Sequence, residues 1–150
     1  MIDSIKLCDI VLRKTGPMNQ LKLQKLVYYI QAFHLVFYDG EPIIEDEFQA
    51  WVHGPVSRKI WDHYRDQSYI YSDIPRPKGK MDVCGLSTEQ VSLIDEVLKN
   101  YSPFTSYQLE MLTHSELPWI EARGECRSDE RCENVISRRT MRKFYRNIVG

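Results

Sequence analysis

From Ile2 to Leu12 the apolar residues Ile2, Ile5, Leu7, Cys8, Val11 and Leu12 recur at spacings of three and four. That stripe predicts an amphipathic helix over Ile2–Arg13, with Asp3 and Ser4 in its first turn and Gly16-Pro17 as its stop. The next segment, Gln20–Tyr38, is apolar on two sides: Leu23, Leu26, Val27, Ile30, Phe33 and Phe37 share one face, and Tyr28, Ala32 and Leu35 form part of another. A helix of that kind must be sandwiched between others, so it is predicted to be the central element. Asn19 is its expected N-cap and Asp39-Gly40 its stop. Lys22, Lys25 and Tyr29 are left to mark a narrow exposed edge. Gln24 and Gln31, seven residues apart on nearly one azimuth, are expected to hydrogen-bond neighbouring backbone.

After Glu41 the period changes. Phe48, Ala50 and Val52 alternate, which predicts a short strand over Phe48–Val52, paired with Pro42–Ile44 as a small hairpin. Gly54-Pro55 reads as a reversal into a helix reaching Asp66 and burying Val56, Ile60, Trp61 and Tyr64. Residues 67–86 contain Pro75, Pro77, Gly79 and Gly85 without clear periodicity; so long a connection is functional or mobile, and is read here as mobile. Ser87 and Gln90 form a capping-box pair for a helix with Val91, Ile94, Leu98 and Tyr101 inward. A helix over Ser106–His114 with Leu109 and Leu112 inward follows, then a short one opened by Glu116-Leu117-Pro118-Trp119 and ended by Gly124. A last helix, Asn134–Ile148, is expected to bury Ser137, Met141, Phe144, Tyr145 and Ile148. The pattern specifies a mainly α fold: a single compact domain over residues 1–150, of about seven helices with one short β-hairpin or strand element.

Composition adds bounds to this picture. A chain of 150 residues is long enough to bury about 68–70% of its unfolded surface in one domain. There is no basic-then-apolar leader, and no apolar run nears the roughly 20 residues of a membrane span, so a cytoplasmic protein without a membrane partner is expected. Of the four cysteines, Cys8 belongs to an apolar helical stripe, and Cys126 and Cys132 are expected to be free thiols in a reducing compartment, with a disulfide between them as the alternative. The net charge of −1 is divided unevenly: the residues after Glu133 carry +5 and the rest −6. Arg138, Arg142 and Arg146 form one helical row with Arg139 and Lys143 beside it. Such a row is a solvated face favoured by the helix dipole, or it meets an acidic protein or a nucleic-acid backbone. No helix-turn-helix with a recognition helix is visible, so sequence-specific nucleic-acid binding is not expected.

Candidate chemistry is sparse. His114-Ser115-Glu116 has the spacing of a zinc-deaminase motif but lacks the downstream P-C-x-x-C that such a site needs. No H-E-x-x-H, G-x-S-x-G or phosphate-binding glycine loop is present. No metal, no cofactor and no catalytic residue is expected from these motifs, and an enzyme assembled from residues distant in the sequence stays open at this point. Trp51, His53, Trp61, Tyr64 and Trp119 form an aromatic set that is either core or the lining of a groove for a partner.

Three motifs carry a family pattern: Leu21-Lys22-Leu23-Gln24-Lys25-Leu26 with Tyr28-Tyr29 and Gln31; Phe48-x-Ala50-Trp51-x-x-Gly54-Pro55-Val56; and Thr113-His114-x-Glu116-x-Pro118-Trp119 with Arg123. Together with the closing helix they resemble the Panacea, or SocA-like, domain of bacterial antitoxins and phage-associated proteins, over about residues 3–148. The resemblance implies an α-helical antitoxin of a bacterial or prophage toxin–antitoxin pair, a binding module and not an enzyme, which binds and inactivates a cognate protein toxin encoded beside it. Members are paired with chemically unrelated toxins, so the partner's activity does not follow. One branch resembles a protease adaptor, which makes an unfoldase a second candidate partner. A phage-accessory protein or an enzyme of unknown chemistry is the remaining alternative, and a homodimer is left open. Lys25, Trp51, His53 and Arg58 are the first candidates for partner binding, with Trp119 and Arg123 second; the competing reading is that these residues specify the fold.

Overall fold

The computed structural model describes residues 1–67 and 72–149. Its axis is α2 (Gln20–Phe37), 15 of whose 18 residues are buried, the burial expected of a helix that is apolar on two sides. Around it pack α1 (Ser4–Thr15), α3 (Arg58–Tyr64), α4 (Thr88–Tyr101), α5 (Ser106–His114) and α7 (Arg138–Val149). A hairpin of β1 (Gln49–Trp51) and β2 (Gly54–Val56) lies against α2 and α5, and α6 (Leu117–Arg123) bridges β1 and α7. Asn19 caps α2 by accepting from the Lys22 N–H at 2.9 Å. Ser87 with Gln90, and Thr105 with Gln108, form capping boxes on α4 and α5.

The exposed edge expected of α2 does not exist. Lys25 and Tyr29 are fully buried, because α5 and the hairpin close over that azimuth, and Lys22 is half-buried with its ammonium on the Ser102 carbonyl at 2.7 Å. Phe37, expected inward, is 58% exposed in the last turn. The two glutamines do what their spacing predicts. Gln31 accepts from the Ile43 and Ile44 N–H groups and donates to the Ile44 carbonyl; Gln24 accepts from the Ser57 N–H and donates to its carbonyl. Side-chain amides on one helix thus hold both ends of the segment that carries the hairpin.

The strand pairing differs from expectation. β1 pairs antiparallel with β2, not with residues 42–44, and Gly54-Pro55-Val56 is strand; the helix after it begins at Arg58, capped by Ser57. Gly54 turns the chain at φ 118°, directly after the Val52-His53 tip. Pro55 is tolerated opposite Ala50 because the Ala50 N–H faces the other way, to the Asn134 carbonyl at 2.9 Å. The Ile136 N–H likewise reaches the Phe48 carbonyl at 2.7 Å, so residues 134–136 run beside β1 and α7 starts only at Arg138. Ser137 and Ile148, expected inward, are exposed; Met141 and Tyr145 are buried and Phe144 is half-buried.

Part of the long connection read as mobile, residues 68–71, lies outside the described residues. Further along, Ile74 is buried and exchanges backbone hydrogen bonds with Met18 at 2.7 and 3.3 Å, and Arg13 donates to the carbonyls of Lys78 and Gly79. Cys126 and Cys132 are joined in a disulfide, not free, with Cα atoms 6.2 Å apart. The backbone bonds Cys126 N–H to Arg123 carbonyl and Glu130 N–H to Arg127 carbonyl curl the loop so that the two meet. The basic row of α7 is partly used internally: Arg138 donates to the Glu45 and Asp46 carbonyls and Arg142 to the Asp39 carboxylate. Among the described residues no helix is long and apolar enough to cross a membrane.

Candidate functional site

The six residues singled out in the sequence gather around the hairpin, at three depths. Trp51, His53 and Arg58 reach the surface, Lys25 lies beneath, and Trp119 and Arg123 stand behind. Gly54 sets the closeness of the lower layer, since a Cβ there would meet Lys25 Cε at 2.9 Å and Thr113 Oγ1 at 3.0 Å. The hairpin backbone therefore rests directly on the Lys25 side chain.

Lys25 donates to its own helix, at the Leu21 carbonyl 3.2 Å away, and burial pulls its pKa down to about 8, with Glu110 opposing the shift as the nearby carboxylate. A pKa lowered in the folded state favours the neutral amine there, so the contribution to stability is full above the ordinary lysine value and is lost as pH falls through about 8. At neutral pH this ammonium is a burden on the fold. Lys25→Met is expected to raise stability at pH 7 by about 1–2 kcal/mol, measured by urea unfolding, and to flatten its pH dependence between about pH 8 and 10. A variant less stable than wild type would show that the ammonium's attraction to Glu110 outweighs its desolvation.

Above this layer, Trp51 donates from its indole to Gln49 Oε1 at 2.8 Å, meets the Trp61 ring edge-on at 5.3 Å, and carries the Arg58 guanidinium over its face at 5.4 Å. Leu21, Trp51, Val56 and Trp61 line a largely apolar cavity of about 320 Å³, which His53 and the 129–132 loop help to close. His53 Nδ1 lies 2.9 Å from Glu110 Oε1 at the hairpin tip. Arg58 also pairs with Glu133 at 2.9 Å, which Arg131 shares at 2.7 Å.

Behind the hairpin, the Trp119 indole donates to the Trp51 carbonyl at 2.9 Å and its ring stacks on His114 at 4.1 Å. Arg123 is 4% exposed and lies 5.3 Å from the Trp119 ring centre. One of its nitrogens donates to the Ala50 carbonyl and another to the carbonyls of Arg127 and Glu130. The motif pair His114 and Glu116 diverges: His114 turns to Trp119, whereas Glu116 enters the core, where Tyr29 donates to its Oε1 at 2.7 Å and Tyr145 at 2.8 Å. Burial raises the Glu116 carboxyl above its ordinary range, opposed by those two hydrogen bonds. Among the described residues, no group of three or more His, Cys, Asp or Glu side chains is arranged to hold a metal ion.

Sequence reasoning missed the rest of the cavity. Trp61 stood in the aromatic set without being assigned to the site, Leu21 entered only through the family motif, and Val56 looked like ordinary core. The 129–132 wall had no periodic signal at all. What the arrangement can do is seat an apolar side chain of a partner between rigid aromatic walls with a cation on their rim.

The family model for the antitoxin SocA-like, Panacea domain matches residues 23–120. No curated protein and no solved structure matches the chain. The matched span holds most of α2, the hairpin, α3, α4, α5 and the start of α6; α1, α7 and Arg123 fall outside it.

Proposed function

This chain belongs to the SocA-like antitoxin family defined by the Panacea domain, and we propose that it neutralises a protein toxin by binding it directly, with the hairpin face as the contact. The observation that supports this reading is the apolar cavity between Trp51 and Trp61. It opens beside half-buried tryptophans on a backbone pinned by Gln24, Gln31, Trp119 and Arg123. Binding energy concentrates in such desolvated aromatic pockets, and a fixed pocket loses little entropy when it is filled. Family membership points the same way, to a binding role and not to catalysis.

The test is co-expression with the protein encoded beside this chain, scoring growth rescue and co-purification together. Rescue with a stable complex is expected. Trp61→Ala, which removes one wall of the cavity from a half-buried position, is expected to weaken that complex by about 2 kcal/mol or more, roughly 30-fold in Kd. Its melting temperature should fall by only a few degrees. A Trp61→Ala complex as tight as wild type would move the interface elsewhere on the domain. Rescue with no complex would favour delivery of the toxin to a protease.

A further inference from the structure

We propose that the toxin segment seated on this face carries arginine or lysine side chains next to its apolar anchor, and that these enter an acidic cleft on the far side of Arg58. The inference rests on the direct-binding reading above and specifies the chemistry of the partner's segment. The cleft encloses about 720 Å³ between the first turn of α1, residues 45–49 and residues 57–59. Asp3, Glu45, Asp46 and Glu47 line it, against only Arg58 and Lys59 as cationic side chains.

Most of those groups are already engaged. Lys59 pairs with Asp3, Arg58 with Glu133, and the Ser57 hydroxyl donates to Asp46 at 2.6 Å. The exposed carboxylates of Glu45 and Glu47 take part in no ion pair among the described residues. Arg138, a further cation nearby, hydrogen-bonds the carbonyls of Glu45 and Asp46. With Gln31 holding Ile43 and Ile44, this keeps the acidic backbone fixed before any partner arrives.

Two further observations point to a ligand. Ser4 lines the cleft at 1% exposure, and its hydroxyl is buried with no hydrogen-bond partner. Buried polar atoms are rarely left so, and an incoming guanidinium or ammonium supplies the donor. The cleft and the apolar cavity lie on either side of Arg58, which lines the cleft and lies over Trp51, a wall of the cavity. A single peptide segment that crosses Arg58 reaches both. The cleft is far larger than one ion, and no side-chain group here is arranged for a metal, so an organic cation is the fitting occupant. Planar guanidinium forks match carboxylates best, so arginine is the favoured side chain of the incoming segment.

The experiment uses the double variant Glu45→Lys/Glu47→Lys, at two exposed carboxylates that make no ion pair among the described residues, with the melting temperature as control. Against the co-encoded protein, its association rate is expected to fall at least about 10-fold at low salt and to approach wild type in about 1 M salt. Unchanged rates at both salts would overturn the proposal. A second arm needs no toxin: the tripeptide amide Trp-Arg-Arg is titrated into the isotopically labelled free protein. Saturable shifts are expected at the Ser4, Asp46 and Gln49 amides and at the Trp51 and Trp61 indoles, and are expected to vanish in the double variant and with Trp-Glu-Glu amide. No shift at Ser4 or Gln49 at millimolar peptide would overturn the cleft even if the co-encoded protein proves to be a bound toxin. Saturable shifts without any toxin complex would keep the cleft and sink the antitoxin reading instead.

Discussion

Arg123→Ala is expected to cost about 4 kcal/mol of folding stability and to loosen the hairpin and the 127–130 loop together. The guanidinium is 4% exposed and reaches three backbone carbonyls: Ala50 on β1, and Arg127 and Glu130 on the loop after α6. The buried Ala50 carbonyl left without its donor costs about 1–3 kcal/mol, the two part-buried loop carbonyls cost less, and the contact with the Trp119 face adds about 1 kcal/mol more. Arg123 has no carboxylate in ion-pair contact among the described residues. Its charge is therefore held by carbonyl dipoles and a ring alone, an arrangement that works only while every bond is made. Arg123→Lys is expected to recover less than half of the loss, because one ammonium cannot fork to both segments. Urea unfolding measures the cost, and amide exchange at Ala50 and Glu130 should accelerate in parallel. A variant within about 1 kcal/mol of wild type would mean that water replaces the guanidinium at those carbonyls. Loss of toxin protection in Arg123→Ala would report a displaced hairpin, whereas loss in Trp61→Ala reports the cavity itself.

What was legible in the sequence was whatever is decided locally. Helix starts at Asn19 and Ser87 depend on capping side chains within a turn of the boundary, and α6 is bounded by Pro118 in its first turn and Gly124 at positive φ; the structure places them there. Thr105 and Gln108 carry the same capping-box signal and were legible by the same rule. The hairpin was not, because pairing is a long-range choice. Residues 42–44 and 54–56 both suit a partner strand, and Gln31 takes the first away by hydrogen-bonding Ile43 and Ile44 itself. Lys25 was misplaced for a related reason. Its charge argues for an exposed edge, and only α5 and the hairpin, set by contacts far along the chain, bury it. At the surface, Trp51, His53 and Arg58 were chosen as candidates from an irregular Gly-Pro turn rich in aromatic residues, and the structure places them together there. The opposite wall of their cavity depends on a loop closed by Cys126 and Cys132, which sequence reasoning left as free thiols.

Glu116→Ala is expected to cost about 3 kcal/mol at pH 7, and Glu116→Gln far less. The Tyr29 and Tyr145 hydroxyls both donate to Glu116 Oε1, and the Tyr28 hydroxyl lies 3.1 Å from that of Tyr145, so one carboxylate organises three tyrosines from α2 and α7. Tyr29 also stacks on Tyr101 of α4 at 4.2 Å, which ties a third helix to the same point. Alanine leaves two buried hydroxyls without an acceptor, each costing about 1–3 kcal/mol. Glutamine keeps the acceptor oxygen and removes the buried charge. Because burial raises the Glu116 pKa, the protonated form is favoured in the folded chain. Its stabilisation is therefore complete below the ordinary glutamate value of 4.5 and is lost as pH rises through the higher folded value. Wild type should thus lose ground against Glu116→Gln between about pH 4.5 and pH 7.5, as read from urea midpoints at both. A constant difference across that window would mean that the two tyrosine hydrogen bonds fully offset the desolvation of the carboxylate. The network would then stabilise the charged form as well as the neutral one, and the Gln variant would be no better than wild type at any pH.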